Sequence, residues 1–326
     1  MRINLVAFEN GVGNSRDIVL LRAALESLGH AVTVTAATRH ARRRRKLGLV
    51  RAFTRLRLRR TRRSTRQSFD LNVMLEHVWP EALHLAASNV LVPNPEFFDR
   101  HDRRMLDCFD GVWAKTRATE VIFTALGAPV SFTGFDSVDR YSDGARAATC
   151  LHVAGMSRMK GTDRLVALWL RHPEWPRLTI VQSLAKRSSA PVAPNLEWRT
   201  DYLSDVALMR LQNDNGIHLC TSETEGWGHY LAEAASTAAV VVATDAPPMN
   251  ELVTGERGLL VAARASGRQN LATTFEFDEG SFEQALSQAL ALGDAGRARL
   301  GGAARAWFLD NQQSFPARLA RALKSA

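Results

Sequence analysis

Residues 216–234 read GIHLCTSETEGWGHYLAEA, an apolar strand-like run that opens into a Gly-x-Gly loop and then into an Ala-rich helix pattern. Two glutamates, Glu225 and Glu233, stand eight positions apart in it. A strand that passes into a helix through glycines is the unit of parallel α/β sheets, and such sheets bind ligands beyond the carboxyl ends of their strands. Glycine at 226 and 228 lets the backbone approach a ligand, and the free N–H groups of His229, Tyr230 and Leu231 at the helix start favour a phosphate. Glu225 lies in the loop, where a group attached to that phosphate projects. Glu233, two turns into the helix, is placed to accept hydrogen bonds from paired hydroxyls such as those of a ribose. The arrangement suits a nucleotide sugar; read alone, the same glutamates also fit a solvated cap and a surface position.

Outward from this stretch the chain alternates strand and helix. A series begins at Cys150 with the strand LHVAGM, the helix DRLVALWLRH, the strands LTIVQS and NLEWR and the helix DVALMRLQND. After the opening motif come the strands VVVATD and ERGLLVA, and the C-terminal segment reads as helix with a break near Pro316. Upstream, RINLVAF is a strand, NGVGNS a Gly loop, DIVLLRAALESLGH a helix and AVTVTAA a strand. Further strands follow at LNVMLEH, Asn89–Val92, Gly111–Lys115 and Pro129–Thr133, with helices over Asp99–Asp107 and Ala118–Leu126. Two doubly wound α/β domains in tandem are the economical reading, with GFDSVDRYSDGARAA as the linker.

In Gly155-Met156-Ser157-Arg158-Met159-Lys160-Gly161 a strand ends and two cations follow within three residues. Arg158 and Lys160 there would neutralise a leaving diphosphate without a metal ion; the plainer alternative is a solvated turn. No Asp-x-Asp pair, Walker loop, Gly-x-Ser-x-Gly elbow or His-Glu-x-x-His occurs. Gly11-Val12-Gly13 begins a dinucleotide fingerprint, but Arg16 replaces its last glycine and no acid ends AVTVTAA.

At 326 residues and 46% hydrophobic, the chain is long enough for two well-cored domains. It lacks an apolar run near the ~20 residues of a membrane span and a secretory signal pattern at its start, so a cytoplasmic location is expected. Cys108, Cys150 and Cys220 read as buried thiols rather than a disulfide framework. The net charge of +9 has one source: residues 39–66 hold 14 of the 42 Lys and Arg and no acid, whereas the rest sets 28 basic against 33 acidic residues. Leu47, Val50, Phe53, Leu56 and Leu58 are interleaved with these arginines. That pattern points to an anionic membrane surface, contacted by Arg42, Arg43, Arg44, Arg45 and Phe53. A solvated flexible insertion is the alternative, and nucleic acid is the disfavoured partner.

The run G-x-S-x-x-K-G, then SETEGWG with its E-x7-E pair, then ATDAPPMNELV, resembles the large retaining glycosyltransferase family of the GT-B class. The resemblance covers nearly the whole chain except residues 39–68, with NGVGNS similar to the Gly-rich acceptor loop (Gly11, Val12, Gly13, Asn14). It implies two Rossmann-like domains facing a central cleft. The acceptor side would be residues 1–145 plus 312–326, with a basic insertion at 39–68 and a C-terminal crossover helix; the nucleotide-sugar side would be 146–311. It further implies sugar transfer from a UDP-, GDP- or ADP-linked donor to a glycan or lipid-linked acceptor, with retention, no metal and no cofactor. Position by position, Arg158 and Lys160 would hold the diphosphate and Glu225 the sugar hydroxyls. Gly226, Trp227 and Gly228 would hold the sugar through backbone amides and Glu233 the ribose, with the base near Tyr202 and Leu203.

The chain departs from the family pattern at Ala239-Val240, where glycine and proline are common, and at Ala246-Pro247-Pro248, where a Gly-Gly turn is usual. The family's amino-domain histidine falls at Asn94, near Glu96, leaving His77 as the other candidate for assisting catalysis. Two rivals remain: an anionic-polymer or nucleic-acid-binding protein on a degenerate GT-B fold, and a sugar-nucleotide epimerase or phosphorylase.

Overall fold

The computed structural model describes residues 1–8, 13–37, 67–183 and 190–325. The acceptor-loop residues Gly11 and Val12, the side chain of Asn14, and the basic segment with Arg42, Arg43, Arg44, Arg45 and Phe53 lie outside the described residues. The chain divides into two compact units, one of Met1–Asp136, Arg268–Ala272 and Asn311–Ala326, the other of Ser137–Gly267 and Thr273–Asp310.

The first unit is built on β1 (Arg2–Ala7), α1 (Gly13–Ser27), β2 (Ala31–Ala36), β3 (Phe69–Glu76) and β4 (Ala86–Pro93), followed by α2 (Arg100–Arg103), β5 (Gly111–Ala114), α3 (Arg117–Ala125) and β6 (Val130–Phe132). Its six strands run parallel in the order β2-β1-β3-β4-β5-β6. The strand order reverses between β1 and β3, so the crevice at their carboxyl ends is the natural ligand position of this sheet. Apolar side chains of β3, β4 and β5, such as Met74, Leu91 and Val112, pack with Phe98 and Phe123, whose rings meet edge to face at 5.0 Å.

One buried feature of this sheet is polar. Asn4, Asn72 and Asn89 are aligned partners on β1, β3 and β4, and all three are fully buried. Their amides form a chain: Thr35 donates to Asn4 (2.7 Å), Asn4 Nδ2 to Asn72 (2.9 Å) and Asn72 Nδ2 to Asn89 (2.8 Å).

The second unit comprises β7 (Ala147–Gly155), α4 (Thr162–Arg171), β8 (Leu178–Gln182), β9 (Leu196–Arg199), α5 (Asp205–Asp214), β10 (Asn215–Cys220) and α6 (His229–Ser236). These are followed by β11 (Val240–Asp245), α7 (Met249–Leu252), β12 (Leu259–Gln269), β13 (Ala272–Phe277), α8 (Glu279–Ala291) and the start of α9 (Gly293–Leu323). The strand order is β13-β12-β11-β10-β7-β8-β9, which reverses between β7 and β10. Beneath it Trp169 packs edge-on against Trp175 and Phe282.

Several local expectations are corrected. The helix expected over Asp99–Asp107 stops at Arg103 and gives way to a 3-10 turn at Leu106–Cys108; Asp99 and Asp102 close a capping box at its start, and buried Asp102 turns to His77 and the Val78 N–H. The C-terminal helix continues through Pro316, since Phe315, Leu319 and Ala322 extend its buried stripe past the proline. The helix α6 ends at Ser236, and the left-handed residue after it is Ala238 (φ 56°), at a cost of roughly 1 kcal/mol for a residue with a Cβ. β12 and β13, missed as a pair, form a hairpin centred on Asn270 (φ 52°), with Arg264 beside Glu276 and Ser266 beside Thr274.

All three cysteines are buried and free. His218 on β10 is 3% exposed and donates from Nε2 to the Gln212 carbonyl at 2.8 Å. Burial pushes its imidazole down to about 4. As pH falls below the ordinary histidine value the unfolded chain takes up this proton first, so the stability present above pH ~6.5 is lost as pH falls toward the folded value. The loss is about 3 kcal/mol across that window. His218→Gln should flatten the urea-midpoint difference between pH 7 and 4.5; an unaltered difference would exclude His218 as its source.

Candidate functional site

The switch point of the second unit brings the loops after β7 and β10 together. Glu223 N–H donates to the Met159 carbonyl (2.9 Å) and Thr221 Oγ1 to the Lys160 carbonyl (3.0 Å), so the two loops are stitched at Lys160. Gly161 (φ 67°) follows at the start of α4, where an added Cβ would come within 2.5 Å of the Thr221 carbonyl oxygen. Only glycine permits this approach.

Lys160 Nζ contacts Glu225 Oε1 directly and sits 3.9 Å from the Tyr230 ring centroid. Ser222 Oγ also meets Glu225 Oε1, and the Tyr230 hydroxyl meets Ser222 Oγ. The Lys160 and Glu225 side chains keep 14% and 11% of their surface exposed, so the pair is mostly but not wholly shielded from solvent. Burial pushes the Tyr230 phenol up. Burial, and next to it the Glu276 charge, raises the Glu223 carboxyl in the same loop.

The two helix starts at this cluster differ from those of α5 and α8, although α7, which begins after Pro248, likewise has no side-chain cap. Ser204 caps α5 and Asp278 caps α8 with side-chain oxygens, whereas α4 and α6 begin at left-handed Gly161 and Gly228 with no side-chain cap. The starts of α4 and α6 therefore carry no side-chain oxygen of the capping residue, the condition under which a helix start receives an anion, although the Leu231 N–H, expected to be free, donates to the Gly228 carbonyl at 2.9 Å. A Cβ on Gly228 (φ 94°) would fall 2.7 Å from Leu231 Cδ1.

The other expected donor-side residues are placed as follows. His229 Nδ1 and Trp227 Nε1 both meet the hydroxyl of buried Ser137, at 2.8 and 3.0 Å, which fixes the entry into α6. Gly226 and Leu231 are buried, Arg158 is exposed, Leu203 is half-buried, and Tyr202 is 93% exposed beyond β9. Glu233 stands apart from Glu225: it is 1% exposed, accepts from Gln212 Nε2 at 3.2 Å and pairs with Arg140 at 3.8 Å. Arg140 in turn donates to exposed Asp205 at 3.0 Å.

In the first unit, Asn94 and His77 follow adjacent strands. Asn94 Oδ1 accepts from Lys115 Nζ at 3.0 Å, and that buried lysine also pairs with Asp17. His77, 3% exposed, donates from Nδ1 to Asp102 Oδ2 at 2.7 Å, while Asp102 Oδ1 takes the Val78 N–H. The carboxylate is acceptor-only, so it holds His77 with its proton on Nδ1. The sequence reading missed Ser222, Ser137, Arg140, Gln212, Lys115 and Asp102. Of these only Asp102 carried a sequence signal, the Asp-x-x-Asp spacing of a helix cap.

Among the described residues no group of three His, Cys, Asp or Glu gathers as a metal site, and no helix is long and apolar enough to cross a membrane. No protein-family model and no curated protein sequence matches the chain. Solved structures do match in fold. The crystal structure of HepE from Anabaena in complex with UDP shares 15% identity over 100% of both chains, with a TM-score of 0.66. Sucrose-phosphate synthase of Thermosynechococcus elongatus shares 12% over 99% of this chain and 98% of its own, at 0.70. A glycosyltransferase from Rickettsia africae shares 12% over 99% and 97%, at 0.68. The architecture is GT-B: two units, each with a parallel-dominated, doubly wound sheet.

Proposed function

We propose that this chain is a retaining, metal-independent glycosyltransferase that moves a hexosyl group from a nucleotide sugar to an acceptor. The observation that carries the reading is the Lys160–Glu225 pair at the switch point of the second unit, flanked by two helix starts that no side chain caps. A diphosphate seated there meets the Lys160 ammonium and the N–H groups of α6, which stabilise negative charge as the glycosidic bond breaks. Arg158 adds charge from the same loop. The leaving phosphate takes up the acceptor proton, so the sugar is replaced on the face it leaves and no covalent nucleophile is required. HepE, which shares the fold, was crystallised with UDP and with UDP-glucose, and this supports a nucleotide-sugar donor.

Glu225 serves the sugar hydroxyls, and Glu233 serves the ribose after a local opening that exposes its buried carboxylate. On the acceptor side His77 or Asn94 meets the incoming hydroxyl. The test is a thermal shift against UDP, GDP, ADP and their sugars: a ligand at 100 times its dissociation constant adds about 2.7 kcal/mol. A shift with one family of nucleotides, and transfer that survives a chelator, is the expected result. A flat response to all of them sinks the reading.

The acceptor is lipid-linked or part of a surface glycan, and the basic segment holds the enzyme at the cytoplasmic face of an anionic membrane. Fourteen cations far exceed what one diphosphate needs, and each contributes roughly 1 kcal/mol near such a surface, screened by salt. Replacing Arg42, Arg43, Arg44 and Arg45 with glutamine should release the protein from phosphatidylserine vesicles at low salt while nucleotide shifts persist. Equal flotation of variant and wild type would count against the anchor.

A further inference from the structure

We infer that Tyr230 is a positioning residue, which sets both the Lys160 cation and the Glu225 carboxylate for an incoming diphosphate. The inference rests on the proposed function only for what the diphosphate carries; the arrangement itself is a property of the ligand-free chain.

The direction of each hydrogen bond in the cluster is forced. Glu225 accepts only, so the single Ser222 hydroxyl proton points at Glu225 Oε1. Ser222 Oγ must then accept from the Tyr230 hydroxyl, whose proton has this oxygen as its partner. The chain runs Tyr230 to Ser222 to Glu225, and Glu225 Oε1 takes a second donor from Lys160. With Oε1 committed twice, Oε2 is the oxygen left to meet a ligand hydroxyl.

The same tyrosine acts on the lysine through its ring. Lys160 Nζ lies 3.9 Å from the ring centroid, a cation–π distance, while the backbone that carries it is held by the bonds from Thr221 to the Lys160 carbonyl and from Glu223 to the Met159 carbonyl. An ammonium has three N–H donors. One is taken by Glu225 and one side is covered by the ring, so the remaining donor has a single direction rather than a cone. Tyr230 itself is 8% exposed on the first turn of α6, so the packing around it holds its ring against the ammonium. A fixed cation needs no reorganisation when charge develops beside it.

Phe at this position keeps the ring and loses the chain; Leu loses both. The probe is inorganic pyrophosphate, which carries the leaving-group chemistry without base or sugar, titrated calorimetrically at constant ionic strength. Tyr230→Leu should weaken binding about tenfold or more and Tyr230→Phe about threefold, and the threefold loss in Phe, which keeps the packing, reads the hydroxyl chain. Ser222→Ala combined with Tyr230→Phe should be no weaker than the weaker single variant, because both cut the same chain. Wild-type protein that ignores pyrophosphate, a Leu variant within twofold of wild type, or additive Ser222 and Tyr230 effects overturns the assignment. If the Leu variant does not fold, the Phe and Ala cycle decides alone. Pyrophosphate binding with this pattern but no response to any nucleotide would remove the proposed function and leave Tyr230 in its place.

Discussion

Lys160→Ala should lower transfer turnover by about 10²- to 10³-fold, the range for removing one charge-stabilising donor from a leaving-group site. The assay uses the nucleotide sugar that gives the largest thermal shift. The loss in stability should be smaller, about 1 to 3 kcal/mol, since Glu225 keeps the Ser222 hydroxyl and is 11% exposed when its cation is removed. Glu225→Gln makes the complementary change. On the proposed function it releases Lys160 from its carboxylate, so bare UDP should bind at least as tightly as to wild type, while transfer should fall because the sugar would meet an amide in place of a carboxylate. Turnover of Lys160→Ala within threefold of wild type, or a Glu225→Gln protein that loses UDP more than Lys160→Ala does, would falsify the placement of the diphosphate.

Arg140→Met should cost about 3 to 5 kcal/mol of stability, lowering the thermal midpoint by about 10 °C, whereas Glu233→Gln should cost only about 1 to 2. The asymmetry follows from exposure. Glu233 is 2% exposed and deprived of the Arg140 charge it stays buried as an anion, but Arg140 deprived of Glu233 still donates to Asp205, whose side chain is 79% exposed. Pairing the two changes in one protein should therefore recover most of what Arg140→Met alone loses. Calorimetry of the three variants reads this, and equal losses from both single changes would contradict it. The comparison also governs any nucleotide assay on Glu233, because a drop in affinity must be separated from a drop in folded population.

Much of the fold was legible because its strands are short apolar runs bounded by turn residues. VVVATD and DVALMRLQND reappear residue for residue as β11 and α5. The hairpin was not legible: the far half of β12 is exposed on both faces, so Arg264 to Arg268 show no alternation, and Asn270 supplies the turn without a following glycine. Pro316 misled because local propensity was outweighed by Phe315, which packs on Phe135 at 5.4 Å. At the site, Lys160 and Glu225 were readable as charges beside glycines. Arg140 and Lys115 were not, since a charge that acts on a residue far along the chain leaves no periodic trace.

The buried asparagine ladder has a bearing on chemistry well above it. Asn72 and Asn89 are aligned partners in a register that runs on to Glu76 and Pro93, so the ladder fixes where β3 and β4 end, one residue before His77 and Asn94. Sliding β3 by two residues keeps every side chain on its own face and would pass an apolar pattern unnoticed, yet it displaces His77 by about 6.6 Å. What penalises that slide is the amides: each one stranded in an apolar interior costs about 1 to 3 kcal/mol. The ladder works as a vernier, converting a hydrogen-bond mismatch deep in the sheet into an alignment tolerance at its carboxyl edge, where the proposed function would have an acceptor hydroxyl met. Exchanging Asn72 for leucine would be expected to blur that alignment before it unfolds the unit, broadening the positions His77 samples relative to Asn94.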